Sequence, residues 1–359
     1  MHGMEEFFLS LARPSVRLVK PYDAPTIKEH KVRLSANENN FGPPPAVIDA
    51  MKKALADGGR YPDGDSAALR EKLAKRFALA PEQIITSNGL DGLFTMLGRA
   101  FLDCGDEVVC GECTFGVYES TALITGASVK KVALGEGFVQ EPESFAAAAG
   151  PRTKMLFFCN PNNPTGTFSE ACGVRRMLEK VPAHTVVVLD EAYFDFVGED
   201  ETASFSLLKD FPNLIICRTF SKLFALAGLR VGWAAAHPGL LDCLYRVREP
   251  YCVTSIAEAG ACAALDEKEF YDAARRSITE EREKLCRALR GYGVKFVPTR
   301  ANFVLLLPGG AYEKLLRAFD ENGIAVRSLA LRGERVIRIS IGTPEENALA
   351  VNTVADVLA

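Results

Sequence analysis

From residue 84 onward the chain alternates between short apolar runs and stretches of helical character. The apolar runs fall at 84–87 (IITS), 107–110 (EVVC), 128–134 (SVKKVAL), 154–159 (KMLFFC), 185–190 (TVVVLD), 213–219 (NLIICRT) and 230–236 (RVGWAAA). Several are apolar at successive positions rather than at every second one. Strands of that kind are buried on both faces, as in a mainly parallel sheet covered by helices. Between most of them lie helical segments of roughly ten to fifteen residues. The pattern predicts an α/β fold with a three-layer large domain built on a mainly parallel sheet.

The flanks read differently. Residues 1–40 are irregular, with Pro14, Pro21 and Pro25, and run into Asn37-Glu-Asn-Asn-Phe-Gly-Pro-Pro-Pro45. They are expected to form an arm that packs on the active site and the small domain. A helix is expected after Pro45, stopping at Asp57-Gly-Gly, and a second over SAALREKLAKRFA with Asp65 as its cap. Past residue 250 a long polar helical stretch (254–291) precedes KFVPT, NFVLLL, a helix after Gly310, IAVRS, VIRISI and a last helix from Pro344. This mix predicts a smaller α+β domain over 251–359, beside the large domain over 41–250.

Composition narrows the function classes. Of 359 residues, 48% are hydrophobic and 25% charged, which excludes a disordered or collagen-like chain. A net charge of −4 argues against nucleic-acid or anionic-membrane partners. No run approaches the roughly 18 apolar residues of a membrane span. Glu5 and Glu6 stand where a secretion signal carries positive charge. A soluble, cytoplasmic protein is expected. The ten cysteines, from Cys104 to Cys286, are then expected to be free thiols. Cys110-Gly-Glu-Cys113 has no second ligand pair, and His2, His30, His184 and His237 do not cluster, so no metal site is expected.

Ligands of open parallel sheets bind beyond the carboxyl ends of the strands, and here those ends are polar. Ser87-Asn-Gly-Leu-Asp-Gly92 follows the first run and opens a helix, a place where backbone N–H groups can hold a phosphate. Asn160-Pro-Asn-Asn-Pro-Thr-Gly166 follows 154–159, and Asp190-Glu-Ala-Tyr193 ends 185–190. Phe220-Ser-Lys222 follows 213–219, and Arg230 opens the next run. A lysine in the apolar context of Lys222 can be desolvated and made nucleophilic. A carboxylate ending so apolar a strand as Asp190 does needs a cation.

These segments resemble the fold type I pyridoxal-phosphate aminotransferases, and within them the histidinol-phosphate aminotransferase family. The resemblance runs through LSANENNFGPPP (34–45), RYPD (60–63), SNGLDGL (87–93), NPNNPTG (160–166), LDEAYFDF (189–196), RTFSKLFALAGLRVGW (218–233) and RISIGTPEEN (338–347), in family order. It implies that Lys222 carries pyridoxal 5'-phosphate and shuttles the substrate proton, and that Asp190 pairs with the ring nitrogen. Asn163 and Tyr193 would bond the ring 3-oxygen, and Phe115 would stack on the ring. Backbone N–H groups of Leu90 and Asp91, with Ser221 and Arg230, would hold the phosphate. Tyr61 would reach the neighbouring subunit's cofactor, which implies a homodimer with shared sites. Arg338 matches the substrate-carboxylate position, Arg327 a second arginine for the phosphate of histidinol phosphate, and Tyr22 and Asn37 arm positions that close over substrate.

The expected reaction is transfer of an amino group from histidinol phosphate to 2-oxoglutarate, in histidine biosynthesis. The alternatives are an aromatic amino acid aminotransferase and a threonine-phosphate decarboxylase. Three departures from the family pattern touch the substrate side: Leu90 for a small residue, Cys113-Thr-Phe115 for Pro-Thr-Tyr, and Asn40-Phe41 for Pro-Tyr. A ligand-sensing regulator, which would carry a DNA-binding module ahead of these motifs, is not expected, since the matching motifs begin by residue 34.

Overall fold

The structure is a computed structural model that describes residues 2–21 and 31–358, the side chains of 2–6 apart. Tyr22 lies outside the described residues. The strands are β1 (Val32–Arg33), β2 (Ile84–Ser87), β3 (Glu107–Gly111), β4 (Ser128–Val132), β5 (Thr153–Cys159), β6 (Val186–Asp190) and β7 (Leu214–Thr219). There follow β8 (Gly232–Ala236), β9 (Lys295–Val297), β10 (Phe303–Leu307), β11 (Ile324–Ala325), β12 (Arg327–Leu331) and β13 (Glu334–Ser340).

The large sheet has the order β2-β8-β7-β6-β5-β3-β4. Its pairings are parallel except that β8 runs against both neighbours. The amino end of β8 therefore lies at the same edge as the carboxyl ends of the other strands. Every residue of β2, β6, β7 and β8 is buried, which is why these runs lack the alternation of a half-exposed strand. The central strand, β6, delivers Asp190 to that edge.

The small sheet, β12-β13-β10-β9, is antiparallel. The arm is stitched to its neighbourhood. Val32 pairs with Ile324 in a short parallel ladder, and the Leu34 carbonyl accepts the Ser340 N–H at 2.8 Å. The segment that follows, residues 35–40, is thereby led across the polar edge of the large sheet.

Three local expectations are corrected. Asp63, not Asp65, serves the helix Ala67–Phe77: its carboxylate accepts the N–H groups of Asp65 (3.0 Å) and Ala67 (2.8 Å). Ser66, at the helix mouth, adopts φ +49 and makes no side-chain cap itself. The polar stretch 254–291 is two helices, Ser255–Asp266 and Lys268–Gly291, the first capped by Thr254 Oγ1 accepting the Ala257 N–H at 3.1 Å. The arm is not wholly irregular, for it begins with the helix His2–Leu11. Phe7, Phe8, Leu9 and Leu11 of that helix are exposed, so no core-facing stripe marks it in the sequence.

Candidate active site

The centre of the polar edge is Asp190, which is 3% exposed. Its Oδ2 accepts the phenol of Tyr118 at 2.5 Å and its Oδ1 the Ala192 N–H at 2.9 Å. Burial pushes its pKa up to about 6, against the two donors, which pull it down. Tyr118 is held by stacking on Phe157 (4.6 Å between ring centres) and by edge contacts to Phe94 and Phe115. The next residue, Glu191, is spent elsewhere. Arg218 donates to its Oε2 from Nε (2.9 Å) and Nη2 (2.7 Å), Ser204 adds a third bond, and the guanidinium sits over the Phe194 and Phe205 rings.

Lys222 follows β7 and approaches Tyr193. Its Nζ lies 5.7 Å from the Tyr193 ring centre and donates to the Ala36 carbonyl at 3.0 Å. Desolvation, reinforced by the positive charge of Arg338, lowers its pKa to about 8. The Tyr193 oxygen accepts a hydrogen bond from Asn37 Nδ2 at 3.0 Å, and its ring meets Phe303 edge-on at 5.1 Å. Burial raises the phenol pKa to about 12.

Arg338, on β13, reaches across to the large sheet. Its Nη1 donates to Asn163 Oδ1 at 2.6 Å and its Nη2 to the Ser35 carbonyl at 2.8 Å. Arg327 is its direct partner across β12–β13. Asn162 ties the neighbouring loops together. It donates to the Cys113 carbonyl (2.9 Å) and accepts from Thr114 Oγ1 (2.8 Å) and Gln140 Nε2 (2.9 Å). The loop bearing Phe115 is thus fixed to the loop bearing Asn163.

At the near end of the sheet, the helix Gly89–Phe101 starts without a side-chain cap. Its first N–H groups, Leu90 and Asp91 among them, are therefore open to an anion. Gly89 has φ +68, and a Cβ there would meet Arg230 Nη2 at 2.5 Å. A Cβ on Gly232 would come within 3.1 Å of the Leu90 nitrogen. Backbone, Arg230 and the Ser221 loop thus form a cradle that only glycines leave open. Arg230 also pairs with Asp91 at 3.2 Å. A cleft of roughly 400 Å³ opens beside it, lined by Ser221, Gly228, Asn39, Lys31, Arg33 and Glu38.

The edge therefore offers a lysine of depressed pKa, a buried carboxylate, an anion cradle and an arginine pair. The family model "Aminotransferase class I and II" matches residues 29–354. The chain belongs to the class I and II aminotransferases. Among curated relatives, it is 37% identical over 351 residues to "Histidinol-phosphate aminotransferase" of Symbiobacterium thermophilum, covering 94% of this chain and 96% of that one. It is 38% identical to the protein of the same name from Methylobacillus flagellatus, covering 91% and 89%. Of solved structures, histidinol-phosphate aminotransferase from Sinorhizobium meliloti in complex with pyridoxal-5'-phosphate superimposes with a TM-score of 0.91 at 27% identity, covering 97% and 98%. Aspartate aminotransferase from Thermus thermophilus with maleate gives 0.81 at 27% identity, covering 97% and 99%. This chain has the fold type I architecture.

In this aminotransferase Lys222, Tyr193 and Asn37 are joined by contact, Asn163 is bonded to Arg338, the Phe303 ring meets both Tyr193 and Arg338, and Asp190 is joined to Phe115 through Tyr118. Leu90, Asp91, Ser221 and Arg230 form the adjoining cradle. Tyr61 is not among the side chains gathered here. It is 82% exposed and stacks on Tyr251 at 4.6 Å. The sequence reading did not single out Tyr118, Asn162 or Ser340. Tyr118 had one available signal, its place three residues after Phe115, across the turn that leads into the helix Val117–Thr125. Among the described residues no His, Cys, Asp and Glu cluster could hold a metal ion, and no helix is long and apolar enough to cross a membrane.

Proposed function

We propose that this enzyme uses pyridoxal 5'-phosphate to move the amino group of histidinol phosphate to 2-oxoglutarate, as a cytoplasmic homodimer in histidine biosynthesis. The residues fit the cofactor. The glycine-walled cradle beside an uncapped helix start suits its phosphate, and a buried carboxylate suits its ring nitrogen. When bound, it supplies an aldehyde that condenses with amines and a protonated ring that accepts electron density from the substrate Cα.

The protein's part is to hold, orient and move protons. Lys222, with its depressed pKa, supplies the neutral amine that binds the cofactor and later takes and returns the Cα proton. Asp190 keeps a negative charge beside the ring nitrogen, while Tyr193 and Asn163 address the ring 3-oxygen and Phe115 covers a face. Leu90 and Asp91 N–H, Ser221 and Arg230 hold the cofactor phosphate. Arg338 grips the substrate anion.

One observation carries the choice of substrate: Arg327 stands opposite Arg338 on the same small sheet. Two opposed cations suit a phosphate dianion better than a single carboxylate. The exposed Tyr61–Tyr251 pair supports a second subunit on that face. The test is a panel of amino donors scored by the cofactor's visible absorbance change. Histidinol phosphate should react with the highest kcat/KM. A preference for phenylalanine would favour the aromatic aminotransferase, and CO₂ release from threonine phosphate the decarboxylase.

A further inference from the structure

Asn37 is a buried polar residue with all of its hydrogen-bonding groups engaged. It is 1% exposed, and its backbone has φ +56. Each of its four polar groups has a protein partner. Its N–H donates to Ser340 Oγ (2.8 Å), and its carbonyl accepts Asn302 Nδ2 (3.1 Å). Its Oδ1 accepts Ser340 Oγ (3.2 Å), and its Nδ2 donates to the Tyr193 oxygen (3.0 Å). Ser340 lies two residues beyond Arg338 on β13, and Tyr193 lies just past the end of β6. One side chain therefore joins the strand that carries the substrate-anion arginine to the phenol beside Lys222.

The direction of the last bond matters. A phenol has one proton to give and can also accept. Because Asn37 donates, the Tyr193 oxygen takes the acceptor part there, and its own proton is free for a partner inside the site. The groups that face this phenol are Lys222, Arg338, Asp190, Cys159 and Asn37 itself.

We infer that Asn37 is a positioning residue: it acts on the reaction through Tyr193, by fixing the phenol with its proton aimed into the site, in register with the strand that carries Arg338. The inference rests on the cofactor reading above, in which Tyr193 donates toward the ring 3-oxygen. A donor aimed there favours the form of the chromophore in which that oxygen bears uncompensated negative charge. It therefore lowers the pH at which that form appears.

Two variants of the holoenzyme test this. Asn37→Gly adopts the same φ without strain and keeps both backbone bonds, but removes the side chain. Asn37→Asp keeps the size and the Ser340 bond, but turns the donor facing Tyr193 into an acceptor. The readouts are the pH midpoint of the visible absorbance, and kcat and KM for two unlike donors. Both variants should raise the midpoint by about half to one pH unit and lower kcat about tenfold, alike for both donors. The aspartate should have the larger effect. On a Tyr193→Phe background Asn37→Gly should not move the midpoint further. A midpoint unchanged from wild type, with loss confined to donor KM, would make Asn37 a substrate contact and overturn the inference while leaving the cofactor reading in place. Equal effects with and without the Tyr193 phenol would also overturn it. If wild-type protein gives no chromophore with pyridoxal phosphate, the cofactor reading fails first and the inference falls with it.

Discussion

Arg327 and Arg338 face each other directly across the β12–β13 pair. Directly opposed residues of an antiparallel pair project on one face, where like charges repel. A carboxylate has oxygens enough to engage one guanidinium, whereas a phosphate has oxygens for two. Arg338→Ala should therefore damage every donor, and Arg327→Ala only phosphorylated ones. A charge-assisted bond to a desolvated phosphate is worth about 1.5–3 kcal/mol, so each loss should cost roughly 10–200-fold in kcat/KM. The measurement is kcat/KM for histidinol phosphate and phenylalanine in both variants. Equal loss on both donors in Arg327→Ala would remove the case for the phosphorylated substrate.

Lys222 has its pKa lowered to about 8 by desolvation first and by the Arg338 charge second. About a tenth of its amine is then neutral at pH 7, far more than an ordinary lysine offers. The rate at which apoenzyme captures pyridoxal phosphate should rise with pH and level off above about 8. Continued rise toward pH 10 would mean an unshifted amine. Borohydride reduction and peptide mapping should place the label on Lys222, and Lys222→Ala should take none.

Asp190 should answer substitution in opposite ways with and without cofactor. In the apoprotein its pKa is raised, with burial the main cause, to about 6. A carboxyl raised on folding contributes its stability at low pH and loses it as pH climbs through the folded value. Above that value the buried charge costs on the order of 3 kcal/mol. Apo Asp190→Asn should thus melt higher than wild type at pH 8, and the gap should close as pH falls from about 6 toward 4. In the holoenzyme the same variant should lose kcat more than it raises KM, because the electron sink needs the charge. A variant with a near-normal single-turnover rate would contradict the proposed role.

Tyr61 offers a test of shared sites. Tyr61→Ala and Lys222→Ala chains should each be impaired alone. Mixed under conditions that exchange subunits, they should form heterodimers with one intact site, regaining up to about a quarter of wild-type activity if pairing is random. Proven exchange without regained activity would exclude this arrangement.

Much of this was legible in the sequence. The apolar runs 185–190 and 213–219 announced buried strands, and the polar residues flush with their ends marked the crevice. Asp190, Asn163 and Lys222 stand where that rule put them. Tyr118 did not announce itself, because its contribution is a bond to a residue 72 positions away. Nor did the coupling of Asn37 to Tyr193, which spans 156 positions. Local spacing carries no trace of such bonds, which exist only once the sheet edge is assembled. The helix His2–Leu11 was missed for another reason: its exposed Phe7, Phe8 and Leu11 face no core in this chain.

Two buried carboxylates adjoin in the sequence at the end of β6, and extended backbone sends successive side chains to opposite sides. Asp190 emerges among the cofactor-side residues, and Glu191 on the other side, where Arg218 and two phenylalanines enclose it. Odd or even position along the strand decides which acid is neutralised inside the protein and which keeps its charge for a ligand. Deleting one residue between Val186 and Leu189 would bring Glu191 to the cofactor-side place and draw Asp190 back to the buried place of Leu189, opposite Ile216 and short of Arg218. The cofactor would meet a longer acid, and Arg218 would lose its carboxylate. The length of β6, counted from its buried start, is thus as much a part of the catalytic apparatus as the residues it presents.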